Sequence, residues 1–243
     1  MRRIRVVLAY DGTHFHGWQV QPGLPTIQGT LEDIVSEIEG RPVPVAGSGR
    51  TDAGVHALAQ VAAFSLDNPI PVDNLKRAIN RLLPPSVRVL SAAEAPPDFH
   101  PRFHALAKTY EYRIFRGDVC PPFDWPFVHH HPYPLDETKM ARVARALAGE
   151  HDFTVFAATD DRDAEGRTKV RTIFSSELSR SGDRLFYRVR GSGFLKHMVR
   201  NIVGTLLEAG KGNLAGLDAV PVKCGPTAPA KGLFLVAVEY GGV

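Results

Sequence analysis

The feature that most restricts what this chain can fold into is an order of strands and helices that runs through its first half and then returns. Arg3 to Tyr10 is a β-branched, apolar run that stops at Asp11-Gly12, which reads as a strand followed by a turn. After Thr26, the residues Ile27, Leu31, Ile34, Val35 and Ile38 recur at helical spacing, and Gly40 stands where a C-terminal cap belongs. Pro42 to Ala46 predicts a short strand entering a glycine-rich loop, and Ala57 to Leu66 predicts another. A helix beginning near Asp73 turns Leu75, Ile79 and Leu82 inward and is stopped by Pro84-Pro85, after which Val87 to Ala93 is a strand. This β-α-β-β-α-β order is the ferredoxin-like unit.

The second half repeats it. Ala107 to Arg116 is a strand, and Asp136 caps a helix that turns Met140, Val143, Ala144 and Leu147 inward before Gly149. Two strands, Lys169 to Arg180 and Arg184 to Arg190, are joined at Ser181-Gly182-Asp183. A helix over Lys196 to Ala209 presents Met198, Val199, Ile202, Val203, Leu206 and Leu207 before Gly210, and Gly232 to Tyr240 is the last strand. The expectation is an α+β protein of two tandem halves, 1–100 and 101–243, with the break near Pro96 to His104 and a cleft between joined sheets. Cys120 to Pro134 and Thr159 to Thr168 have no periodic pattern and read as surface insertions, the usual places for substrate contacts.

Composition narrows the function classes. An apolar content of 44% over 243 residues supplies a core, and no apolar run approaches the length needed to cross a bilayer. Met1-Arg2-Arg3-Ile4-Arg5 leads straight into the first strand without the apolar core of a cleavable leader, so a cytoplasmic protein without a membrane partner is expected. Cys120 and Cys224 lack CxxC spacing and read as structural. A net charge of +3 permits a polyanionic partner without requiring one. Basic residues gather around 102–116, 162–171, 180–200 and 223–231, either as a groove for phosphates or as scattered solvated charge.

The loop Gly47-Ser48-Gly49-Arg50-Thr51-Asp52-Ala53-Gly54 lacks the order of a nucleotide phosphate loop, and no helix pattern follows it. It does present one carboxylate, Asp52, beside Arg50, Thr51 and His56, among neighbours small enough for a bulky partner to approach. An ionised carboxylate serves as nucleophile or general base, and a nearby guanidinium favours that state. Arg50 is one source; Arg200, one turn from Lys196 on the predicted helix, is another. Equally, an Asp in such a loop is often an Asx-turn residue. Tyr110 and Tyr112 share a strand face with Lys108 and Ile114, which suits either base stacking or a core. His129-His130-His131 is not expected to bind metal, since consecutive extended residues point to opposite sides and no ligand stands at suitable spacing. His14 and His16 beside Trp18 fit an RNA contact or simple loop packing.

Five segments taken together resemble the tRNA pseudouridine synthase A family. They are Tyr10-Asp11-Gly12-Thr13 with Gly17-Trp18-Gln19; the string from Gly49 to Ala57 containing Arg50-Thr51-Asp52-Ala53-Gly54-Val55-His56; Lys108-Thr109-Tyr110-Glu111-Tyr112; Gly193 to Gly204, containing Lys196 and Arg200; and Ala228 to Leu233. The resemblance implies the pseudouridine synthase fold, two ferredoxin-like halves sharing a central antiparallel sheet with a basic cleft. It makes Asp52 the essential carboxylate, Tyr110 the aromatic against the target base, Arg200 the ion-pair partner of Asp52 and Arg50 the group that helps displace the target nucleotide. Thr51, His56 and Lys196, in the same segments, are taken as substrate-binding. It further implies a tRNA substrate modified at positions 38 to 40 of the anticodon stem-loop, no cofactor and a homodimer. Whether Asp52 attacks C1′, adds to the base or removes a sugar proton stays open. Two other classes compete: a non-catalytic RNA-binding protein, although nothing matches the RNP1 pattern, and a glycosidase-like hydrolase, although no paired acid is evident in these segments.

Overall fold

A computed structural model describes residues 1–159, 166, 168–214 and 219–241; most of the irregular stretch read from Thr159 to Thr168, and part of the basic run at 162–171, lie outside the described residues. The elements follow in the order β1 (Arg2–Tyr10), α1 (Ile27–Glu39), β2 (Ala46–Gly47), β3 (His56–Leu66), α2 (Val72–Leu82), β4 (Val87–Ala95), β5 (Ala105–Phe115), β6 (His129–His130), α3 (Glu137–Ala146), β7 (Gly149–Asp152), β8 (Val170–Ser181), β9 (Arg184–Gly191), α4 (Met198–Gly210) and β10 (Leu233–Tyr240). The chain is α+β and forms two compact units, Met1–Leu106 with Phe234–Val243, and Ala107–Leu233.

In the first unit β1 lies between β4 and β3, antiparallel to both, and β2 pairs antiparallel with β3. Alternation sets the register: Ile4, Val6, Leu8 and Tyr10 are buried while the residues between them are half-buried, so a slip by one residue would expose the whole set. Each fully buried aliphatic side chain contributes about 1.5–3 kcal/mol. Helix α1 is capped as its sequence predicts, with Thr26 Oγ1 accepting from the Gly29 N–H and Gly40 left-handed at φ 79. β10 pairs with β3 in parallel through Phe234↔His56 and Leu235↔Ala57, which makes the sheet of this unit mixed where the resemblance implies an antiparallel one.

The predicted strand over Pro42 to Ala46 is not one. Val43 and Val45 are buried and alternate with exposed prolines, which is the pattern that suggests a strand. Their N–H groups, however, are taken by α1 side chains: Val43 donates to Ser36 Oγ and Val45 to Glu32 Oε1, both at 2.9 Å. Pro44 has no N–H to give. Sheet pairing therefore starts only at Ala46, and the segment is tied to the helix instead.

In the second unit the strand order is β5-β9-β8-β7, antiparallel throughout, with β6 added in parallel to β5. Asp136 caps α3 by accepting from the Lys139 N–H, and α3 packs on β8 and α4. Nearly all of α4 is buried, from Met198 to Gly210. Two readings change here. Residues 120–134 carry the short strand β6, and α4 begins at Met198 because His197 is left-handed (φ 60), so Lys196 precedes the helix and is not one helical turn from Arg200. β7, with no apolar alternation to announce it, was not predicted.

The β6 histidines generate a pH dependence. Burial, reinforced by the charges of His131, Lys231, His130 and Lys211, pushes the pKa of His129 from 6.5 down to about 4. Between those values the unfolded chain binds a proton that the native chain refuses, so stability falls as pH drops from roughly 6.5 to roughly 4. The His131 and His100 shifts run the same way, each led by burial. Urea midpoints measured at roughly pH 7.5 and roughly pH 5 should show the decrease, and His129→Gln should flatten it.

Candidate active site

The carboxylate loop occupies residues 48–55, between β2 and β3. Its side chains alternate: Arg50 is exposed, Thr51 buried and Asp52 half-buried. A second segment, 12–18, lies against it. The Trp18 N–H donates to the Thr51 carbonyl at 3.0 Å, and the Gly54 N–H donates to the Phe15 carbonyl at 3.3 Å. A Cβ on Gly12 would strike the Val55 carbonyl, and one on Gly17 would stand 2.5 Å from the Thr51 oxygen. Gly17 is also left-handed at φ 85, a conformation that favours glycine. Asp52 closes the turn with its own carbonyl, which accepts from the Val55 N–H at 3.1 Å.

Beneath the loop is a polar network sealed from solvent. The hydroxyls of Tyr10 and Thr51 are 2.9 Å apart; Ser48 Oγ donates to Gln60 Oε1 at 2.6 Å, and Gln60 Nε2 donates to the Gly49 carbonyl at 2.9 Å. Burial pushes the Tyr10 pKa up to about 12, against the opposing hydrogen bonds of Thr51 and Gln60, so the phenol stays protonated. Gly47 faces the indole of buried Trp18 too closely to carry a side chain.

Of the predicted site residues in this unit, Arg50 reaches outward, with Nε donating to Gln19 Oε1 at 2.9 Å. His56 is only 1% exposed and stacks on Phe234 with ring centroids 4.7 Å apart. Its Nδ1 has two close neighbours, the Gly12 N–H at 3.0 Å and Asp11 Oδ1 at 3.2 Å. A backbone N–H only donates, so Nδ1 accepts and carries no proton, and the contact with Asp11 is not an ion pair through that nitrogen. For Asp11, burial works to raise the carboxyl, but the hydrogen bonds from the hydroxyl and N–H of Thr13 outweigh it and leave a lowered pKa.

The second unit gathers the remaining residues around β5 and the start of α4. Tyr110, 7% exposed, meets Phe194 edge-on with centroids 5.1 Å apart. Tyr112 is fully buried and its hydroxyl donates to the Pro229 carbonyl at 2.7 Å. Arg200 Nε donates to the Ala228 carbonyl at 2.8 Å while the Ala228 N–H returns a bond to the Arg200 carbonyl. Burial drives the Tyr112 pKa upward, with the charge of Arg200 opposing it. Lys196 is exposed, and its Nζ donates to the Thr159 carbonyl at 3.0 Å. Among the described residues no group of three His, Cys, Asp or Glu side chains is arranged to hold a metal ion, and no helix is long and apolar enough to cross a membrane.

Sequence reasoning passed over Gln60. Its signal is a single amide inside the otherwise apolar run Ala57-Leu58-Ala59-Gln60-Val61-Ala62-Ala63-Phe64, where a polar side chain must find partners to be buried.

Comparison with known proteins shows the family of the chain. A family model described as tRNA pseudouridine synthase matches residues 6–104 and 143–241. The chain belongs to that family of isomerases. It is 73% identical over 240 residues to the tRNA pseudouridine synthase A of Solibacter usitatus, covering 99% of this chain and 100% of that one. It is 42% identical over 247 residues to the protein of that name from Brevibacillus brevis (99% and 100% covered), and 43% identical over 242 residues to that of Halalkalibacterium halodurans (96% and 91% covered). A solved structure, a dye-decolorizing protein from V. cholerae, overlays 92% of this chain and 91% of its own at a TM-score of 0.21 and 11% identity, too low to bear on the fold.

The approach of segment 12–18 to the loop predicts a contrast between two glycines. Gly17→Ala meets both a left-handed backbone and the Thr51 carbonyl, whereas Gly23 is left-handed at φ 72 with open space around it. Gly23→Ala should cost about 1–2 kcal/mol and Gly17→Ala about 2–4 kcal/mol in urea unfolding. Equal losses would mean that the contact at Gly17 contributes nothing.

Proposed function

We propose that this chain converts uridine to pseudouridine at positions 38 to 40 of the tRNA anticodon stem-loop, with Asp52 as the catalytic carboxylate. One observation carries the assignment to Asp52: within a chain of this family, Asp52 stands half-buried on a loop braced by segment 12–18 and by the polar network of Tyr10, Ser48, Thr51 and Gln60. In the reaction the N1–C1′ bond breaks, the uracil turns, and a C5–C1′ bond forms; C5 gives up its proton and N1 gains one. No electrons leave the substrate and no group is donated from outside, so no cofactor is required.

A base inside a stem is out of reach, so the target nucleotide is flipped out at a cost of a few kcal/mol, about what stacking and phosphate contacts can offset. Arg50, outward on the loop, fits the displacement of that nucleotide. In this proposal Tyr110, on the second half, packs against the uracil, Arg200 pairs with the Asp52 carboxylate, and Lys196 meets a phosphate. Thr51 and His56, whose side chains turn into the first unit, hold the loop rather than touch RNA. With its halves taken as 1–100 and 101–243, the protein would work as a cytoplasmic homodimer on one tRNA.

Release of tritium from tRNA labelled at uridine C5 tests the reaction class, since isomerisation expels that label and neither hydrolysis nor binding does. Asp52→Asn should abolish release, by about a thousandfold or more, while tRNA binding persists, because the amide keeps the size and loses basicity and nucleophilicity. Turnover near the wild-type rate in that variant would sink the assignment. Arg200→Ala should lower kcat by about 10- to 100-fold and move the acidic limb of the pH–rate profile to higher pH. An unmoved limb would count against the pairing with Asp52.

A further inference from the structure

Gln60 lies at the centre of β3, fully buried, and both the oxygen and the nitrogen of its amide are engaged in hydrogen bonds. The orientation is settled by backbone partners: the Val61 N–H, which only donates, meets Oε1 at 3.2 Å, and the Gly49 carbonyl, which only accepts, meets Nε2 at 2.9 Å. Oε1 takes its second bond from Ser48 Oγ. What remains to meet the Tyr10 hydroxyl, with which Gln60 also bonds, is the second Nε2 hydrogen. The Tyr10 oxygen therefore accepts from Gln60, and the Tyr10 proton is directed to Thr51 Oγ1, 2.9 Å away.

The result is a connected network in which Gln60 accepts from Ser48 and donates to Gly49 on one arm and reaches Thr51 through Tyr10 on the other. Its contacts fall on three of the four residues that precede Asp52, and the fourth, Arg50, is the one left facing outward. A Gln in an apolar strand interior has no packing advantage over Leu or Met, and a buried amide is tolerated only when fully partnered. We infer that Gln60, acting through Ser48, Gly49, Tyr10 and Thr51, is a positioning residue that fixes the Asp52 loop in its working conformation before tRNA arrives. The inference rests on the catalytic role proposed for Asp52. It assigns the geometry of the loop to a group buried beneath it.

Kinetics separate positioning from simple stability. Gln60→Met keeps the length and apolar volume but removes both arms; Tyr10→Phe removes only the arm to Thr51. Val35→Ala, in the buried face of α1, serves as a stability control away from the loop. Each is read for kcat and KM of tritium release and for its thermal midpoint. Expected are a fall in kcat of about 10- to 100-fold for Gln60→Met and about tenfold for Tyr10→Phe, with KM within about threefold, and near wild-type kcat for Val35→Ala at a comparable thermal loss. If Gln60→Met does not fold, Tyr10→Phe decides. A kcat for Tyr10→Phe no lower than that of Val35→Ala overturns the inference, as does a change confined to KM. Failure of the two ideas is distinguishable: an active Asp52→Asn refutes the catalytic assignment and this inference with it, whereas an inactive Asp52→Asn beside fully active Tyr10→Phe and Gln60→Met refutes the positioning role alone.

Discussion

Two stretches of backbone, 12–18 and 51–56, approach until there is no room for a side chain between them, and the first unit is arranged to make that approach possible. Glycines at 12 and 17 supply the space, the N–H groups of Trp18 and Gly54 supply the bonds, and the indole of Trp18 fills the gap beneath Gly47. Neither segment belongs to regular secondary structure over this length, save His56 at the start of β3. Each is held because β1 and β3, antiparallel neighbours, deliver their ends to the same place: Tyr10 closes β1 and His56 opens β3, with Tyr10 paired to Ala57. The strands bring the loops together, and the absence of side chains lets them lock.

A loop fixed in this way suits chemistry on a nucleotide. A carboxylate on a mobile segment would spend part of the binding energy on its own ordering, whereas one held from below and from the side is ordered in advance. The inward-facing side chains of Ser48 and Thr51 are satisfied by protein groups, while Arg50 is exposed and Asp52 half-buried. The second unit follows similar logic with different parts. There the segment 228–232 is gripped by Tyr112 and Arg200 through its carbonyls, and Gly232 fits against the Tyr112 ring where a Cβ would stand 2.7 Å away.

Much of the architecture is legible in the sequence because it rests on periodicity and capping. Helix α1 begins and ends where Thr26 and Gly40 place it, α3 begins after Asp136, and the turn at Ser181-Gly182-Asp183 is found between β8 and β9. The misreadings share one origin, which is that a hydrogen-bond partner is invisible in a linear pattern. Val43 and Val45 alternate like a strand but bond to α1; Lys196 and Arg200 are spaced like a helical pair, but the left-handed backbone of His197 separates them. The candidate site residues are singled out by the string around Asp52 and not by physics alone, since Asx-turn and nucleophile look the same in isolation. Gln60 was missed because its significance lies in four partners, of which only Val61 adjoins it in sequence.

β7 carries a different consequence. Gly149, Glu150 and Asp152 are exposed and His151 half-buried, and the strand stands last in the order β5-β9-β8-β7. An apolar strand in that place would offer its backbone to any passing segment in search of a partner. A short, charged one beginning at a left-handed glycine (φ 112) makes a poor template. The property that hides β7 from pattern reading is thus the one that lets the sheet stop: it gives up the hydrophobic signature of a strand and, in exchange, discourages the assembly of one molecule onto another.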